Sequence, residues 1–174
     1  MNAIDRSRKW GLIGLVVVCL LSVPLHFLYD WTGELSFVGL FAPINESIWE
    51  HLKLVFGPLL IWWTIGFILY KKEGLSFNKW FSAAAVATFL SMLIIVGWYY
   101  IWKGALAVES SAIDLSALFI AVPIGQLVAI HVYRVVKPRA LYMVLAFLFF
   151  AVVGVAFIMF TLSPPDFPIF IPSN

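Results

Sequence analysis

Apolar residues along this chain fall into five long runs separated by short polar segments. The runs cover residues 11–29, 52–70, 80–102, 113–133 and 140–162. A helix rises about 1.5 Å per residue, so about 20 apolar residues cross ~30 Å of hydrocarbon. The pattern therefore predicts five transmembrane helices. Basic residues precede the first run, as they do in a signal peptide. Its apolar core is too long for one, and the segment from His26 to Trp31 follows it in place of a small-residue cleavage site. The last segment, 163–174, contains Pro164, Pro165, Pro168 and Pro172. Proline removes a backbone donor and blocks helix, so this part is read as an extended apolar tail. It can cover the outer end of the bundle as a lid or rest among the headgroups.

Composition agrees with the pattern. Hydrophobic residues make up 63% of the 174 and charged residues 11%, against about 25% charged in a soluble domain. Such a chain cannot cover a water-facing surface. The fold class is an all-α integral membrane protein of one membrane domain, with the lipid bilayer as its surroundings. A soluble enzyme and a nucleic-acid-binding domain are excluded. Cys19 is the one cysteine, which rules out an intrachain disulfide and a multi-cysteine metal cluster.

Charge sets the orientation. Arg6, Arg8 and Lys9, then Lys71, Lys72 and Lys79, then Arg134, Lys137 and Arg139 fall on one side of a five-span topology, leaving Lys53 and Lys103 on the other. Cytoplasmic loops carry the excess of lysine and arginine. The N-terminus is expected in the cytoplasm and the C-terminus outside. Most acids, together with His26 and His51, then gather at the outer ends of the spans. Glu109 and Ser110 belong to that outer side as well, and neither serine of Ser110-Ser111 has a base tied to it by the sequence.

The segment from Pro43 to Lys53 leads into the second span. If it is helical throughout, Glu46, Glu50 and Lys53 share one face that continues through Gly57 and Thr64, while Ser47 and His51 point the other way. Carboxylates entering a bilayer are costly unless paired, hydrated or metal-bound. Two structural alternatives compete with a ligand role. Ser47-x-x-Glu50 fits a capping box, with Asn45 as a second candidate cap, and Glu50 can pair with Lys53 at i,i+3. His26 and Asp30 end the first span one turn apart, a spacing at which a carboxylate can orient an imidazole. Asp114 opens the fourth span, as an N-cap or as a further contributor. His26, Asp30, Glu46 and Glu50 are the candidate ligands for a divalent metal or a small cation, supported by Asn45, His51, Lys53 and Asp114. Imidazole beside carboxylate favours zinc, manganese or iron over magnesium.

Elsewhere, Gln126 stands near mid-membrane and should hydrogen-bond another helix. His131 is read as a packed or interfacial residue. The tryptophans and tyrosines near the span ends, among them Trp10, Trp31, Trp80 and Trp98, form an aromatic belt. Span five, with Phe147 and Phe150, should face lipid.

The run Pro43-Ile44-Asn45-Glu46-Ser47-Ile48-Trp49-Glu50-His51-Leu52-Lys53 resembles a P-[VI]-N-E-S-[VI]-W-E-H-L-K signature. That signature is one of a family of small bacterial multi-span proteins described as a domain of unknown function, which this chain resembles. The chain is also similar to that family in the His-Phe-x-Tyr-[DE]-W run from His26 to Trp31 and in the proline-rich tail from Pro164 to Phe170. The resemblance implies no activity. It implies a bacterial inner membrane and adds weight to Asn45, Glu46, Glu50, His51, His26 and Asp30 as a set. Three functions stay open: an extracytoplasmic site for a metal ion or small cationic ligand, a metal-dependent membrane hydrolase acting on a lipid or peptide at the outer surface, and a non-catalytic subunit of a membrane complex or transporter, with a membrane partner protein or a second copy of itself as partner.

Overall fold

The computed structural model describes residues 3–108 and 111–172; Glu109 and Ser110 lie outside them. Among the described residues five helices are long and apolar enough to cross a membrane, and the protein is a multi-pass membrane protein. Helix α1 is Ala3–Trp31. The short α2 is Ser36–Gly39. Helices α3 (Ile48–His51) and α4 (Lys53–Tyr70) are joined through Leu52 in helical conformation, and so form one span. Helix α5 is Phe77–Tyr99, continued by a π-helical segment Tyr100–Ala105. Helix α6 is Ser111–Val135 and α7 is Ala140–Leu162. The second span thus begins four residues before the apolar run does, because Ser47 caps it there.

α1, α4, α5 and α6 pack around a common core, and α7 lies against α5 at the edge. Three indole donors stitch the core, while Trp49, Trp62 and Trp102 Nε1 are buried without a hydrogen-bond partner among the described residues. Trp63 Nε1 donates to Gln126 Oε1 at 3.1 Å, Trp80 Nε1 to the Trp63 carbonyl at 2.7 Å, and Trp10 Nε1 to the Trp62 carbonyl at 3.2 Å. Gln126 Oε1 makes the expected interhelical bond, while its Nε2 is buried without a hydrogen-bond partner among the described residues. Trp80 and Trp10 are 0% and 7% exposed, so they are core residues and not part of an interfacial belt. Trp31, by contrast, is 67% exposed at the end of α1. Small residues make room for the indoles. A Cβ on Gly66 would stand 2.4 Å from Trp10 Nε1 and 2.8 Å from the Trp80 ring.

Pro58 inside α4 has no N–H, which leaves the Leu54 carbonyl without its helical donor. Ser22 of α1 supplies one, its Oγ lying 2.5 Å from Leu54 O. A break in one helix thus becomes a bond between two.

The basic clusters share one end of the bundle. Arg6 pairs with Glu73, and Lys79 lies over the Tyr133 ring. His26, Glu46, His51 and Thr161 stand at the opposite end. α7 is mostly exposed, as a lipid-facing span should be, but not at every position. Phe147 is exposed, whereas Phe150 is buried against Phe56 and Phe149. The reading of both as lipid-facing is therefore corrected for Phe150, whose side of α7 turns toward α4.

Candidate metal centre

The site is built where α1 ends and α4 begins. α1 stops just after Asp30 because Gly33 takes a left-handed φ of 69°. Gly33 N–H then donates to Asp30 O and Glu34 N–H to Tyr29 O, a glycine-dependent C-terminal cap. That leaves His26 more than a turn inside α1. On the other side, Asn45 Oδ1 accepts the Ser47 N–H at 2.9 Å, and Ser47 Oγ accepts the Glu50 N–H at 3.3 Å. Ser47 is the helix cap, and Asn45 closes the turn before it. Only half of a capping box forms, because the Glu50 carboxylate does not return to Ser47 N–H.

That carboxylate is used elsewhere. Glu50 Oε2 accepts from Lys53 Nζ at 2.5 Å and from Ile44 N–H at 3.0 Å, while Glu50 Oε1 accepts from Thr161 Oγ1 at 3.0 Å. Lys53 Nζ also donates to Gly39 O at 2.7 Å and to Thr161 Oγ1 at 2.7 Å. The Lys53 and Glu50 side chains are 2% and 3% exposed. A buried ion pair is tolerable only when its remaining protons and lone pairs are satisfied, and here they are. The network ties the loop before the span to α4 and to the last turn of α7.

The two acids are therefore separated. The helix begins after Glu46, so the shared face expected from helical spacing does not include it. Glu46 turns instead toward two histidines. Its Oε2 lies 3.2 Å from His51 Nε2 and 3.6 Å from His26 Nε2, and the two Nε2 atoms are 3.2 Å apart. The hydrogen bond from His51, with the charges of both imidazoles, holds the Glu46 carboxyl below its usual value against the effect of burial. Three lone-pair atoms converging without a cation need at least one proton among them, carried by an imidazole nitrogen.

Of the candidate ligands, His26 and Glu46 are brought together, and His51 joins them as a full member. Glu50 is not in the group and neither is Asp30. Asp30 is exposed, one turn beyond His26 near the end of α1. His26 Nδ1 is buried without a hydrogen-bond partner among the described residues. Lys53 serves Glu50, Asn45 shapes the turn, and Asp114 stands half-buried in the first turn of α6. His131 is exposed on α6 and takes no part. The tail folds back, with Phe170 packed 5.0 Å from Trp49 and 5.3 Å from Phe160.

The triangle of ligand atoms has the size a metal requires. A circle through the three atoms has a radius of about 1.9 Å. Ligands of one tetrahedral zinc at ~2.05 Å stand about 3.3 Å from one another, which the separations of 3.2, 3.2 and 3.6 Å match, so His26, Glu46 and His51 could hold such an ion. Two imidazoles and one carboxylate are also a recognised donor set for zinc and for non-haem iron.

Residues 1–173 match the profile described as Family of unknown function (DUF6512). The chain belongs to that family. No curated protein and no solved structure matches it. Membership in DUF6512 brings no activity with it, so the chemistry of the site has to be argued from the ligand geometry.

Proposed function

We propose that this membrane protein binds one divalent transition-metal ion, with zinc the best fit, through His26, Glu46 and His51. The convergence of the three ligand atoms at 3.2–3.6 Å carries this reading. The surplus of lysine and arginine at the opposite end supports an orientation with the N-terminus in the cytoplasm and the metal site outside. The family resemblance supports the inner membrane of a bacterial cell.

Three protein ligands leave a fourth position open, the arrangement of catalytic rather than structural zinc sites. This favours, as a second reading, hydrolysis of a lipid or peptide at the outer surface. There the ion would supply an acidified water, and this chain's residues would hold the ion. The half-exposed Glu46 marks the open side, since its side chain is 44% exposed against 9% for His51.

The test is metal analysis. Protein purified in detergent, stripped with chelator and reloaded with zinc should hold one ion per chain. The His26→Ala, His51→Ala double variant should hold none. No stoichiometric uptake by the wild type, or equal uptake by the double variant, refutes the assignment.

A further inference from the structure

A cavity of about 560 Å³ opens beside α4, between α1 and α7, away from the three ligand atoms. Leu25, Phe56, Gly57, Gly154 and Phe157 line its walls, and Leu40 and Phe41 roof it. Lys53 is its one charged lining residue, and its ammonium is already bonded to Glu50, Thr161 and Gly39 O. The cavity therefore offers no free charge to a polar ligand. Its rim residues Leu21, Ile61 and Ile158 are 45%, 55% and 41% exposed, so it opens sideways at the depth of the spans, where the surrounding medium is hydrocarbon.

Two glycines keep it open. A Cβ on Gly57 would meet nothing within 4 Å, and one on Gly154 would meet only the Phe56 ring, at 3.8 Å at the nearest. Small residues in membrane helices usually let backbones approach closely. These two face a gap instead, so their effect is to leave room. From Lys53 to Ile61 the wall rises about 12 Å along α4, most of the ~15 Å depth of one leaflet's hydrocarbon. Bilayer depth, a one-leaflet length, apolar walls and a neutralised polar end together suit one kind of occupant.

We propose that this crevice binds one acyl chain of a membrane phospholipid, entering sideways from the leaflet at the histidine end. The seated chain directs the lipid's polar end toward the roof at residues 39–42. Leu25 on the wall precedes His26 in α1, but none of the three ligand residues lines the crevice, so the bound chain lies apart from the ligand atoms. The crevice is argued from its own walls and does not depend on a metal being bound.

The experiment uses the full chain in nanodiscs of phosphatidylethanolamine and phosphatidylglycerol. A small share of the phosphatidylethanolamine carries a diazirine in the far half of one acyl chain. After photolysis, labelling at Phe56, Ile61 and Ile158 should exceed that at Phe119 and Leu127, exposed positions on α6, by about tenfold. Gly57→Leu and, separately, Gly154→Leu should remove that excess. Gly97→Leu, at a glycine of α5 that also faces open space and lies outside the crevice, should leave it intact. If Gly57→Leu does not elute as folded protein, Gly154→Leu and Ile61→Trp carry the same comparison. Even labelling over all exposed positions, or an excess that survives filling of the crevice, overturns the proposal. Zinc content measured on the same samples keeps the two sites apart, since crevice variants should retain the ion and the double histidine variant should retain the acyl chain.

Discussion

Replacing Glu50 with glutamine tests how the two acids of the outer segment divide their work. The exchange keeps the shape of the side chain and removes its charge, leaving the Lys53 ammonium buried at 2% exposure. At the 2.5 Å separation of Lys53 Nζ and Glu50 Oε2, the gross attraction is about 6–7 kcal/mol at an effective dielectric of about 20. Desolvation of both ions offsets much of that. Removing one partner of such a pair nevertheless costs about 3–5 kcal/mol, because the other charge is left uncompensated. Thermal melts in detergent should therefore fall by roughly 10 °C, at about 2–4 °C per kcal/mol for a chain of this size. Lys53→Met with Glu50→Gln should recover part of the loss, since no lone charge remains. Zinc stoichiometry should stay at one ion per chain. Affinity should drop by about tenfold, near 1.4 kcal/mol, because Ile44 N–H no longer holds a carboxylate two residues before Glu46. Glu46→Gln should show the reverse, a weak effect on the melt and loss of the ion. Isothermal titration with zinc, run beside the melts, reads both. If Glu50→Gln abolishes the ion and Glu46→Gln keeps it, the ligand assignment is wrong.

Three further outcomes are expected. Gly66→Ala forces a Cβ against Trp10 and Trp80 and should cost about 1–3 kcal/mol as an overpacking change, read as a lower melting temperature; an unchanged melt would mean that the indoles move freely. Phe150→Leu, at a position buried against Phe56, should cost about 1 kcal/mol, while Phe147→Leu, exposed on α7, should stay within about 0.5 kcal/mol; an equal or reversed order would place α7 differently. A reporter enzyme active only in the cytoplasm should work when fused to the N-terminus and fail at the C-terminus, and activity at both ends would contradict five spans with the histidine end outside.

Five spans were legible from the sequence because hydrocarbon imposes a length and a polarity that local composition alone must meet. The Ser47 cap and the Glu50–Lys53 pair were legible too, as both are set by spacings of three residues within one helix. His26 and Glu46 stood out as acid and imidazole at the ends of apolar runs. What they would meet could not be read from the sequence. Helical spacing put Glu46 with Glu50, but the chain bends before Ser47 and sends Glu46 to the histidines. His51 was placed on the opposite side for the same reason, and only the pairing of α1 with α4 shows its Nε2 3.2 Å from that of His26. Thr161 gave no signal, because its partners lie 108 and 111 residues away. Trp80 and Phe150 looked like surface aromatics because composition is the same on both sides of a membrane helix. In lipid, apolarity does not separate inside from outside, so the faces of the helices, the crevice between them and the meeting of three ligand atoms are decided by tertiary packing alone.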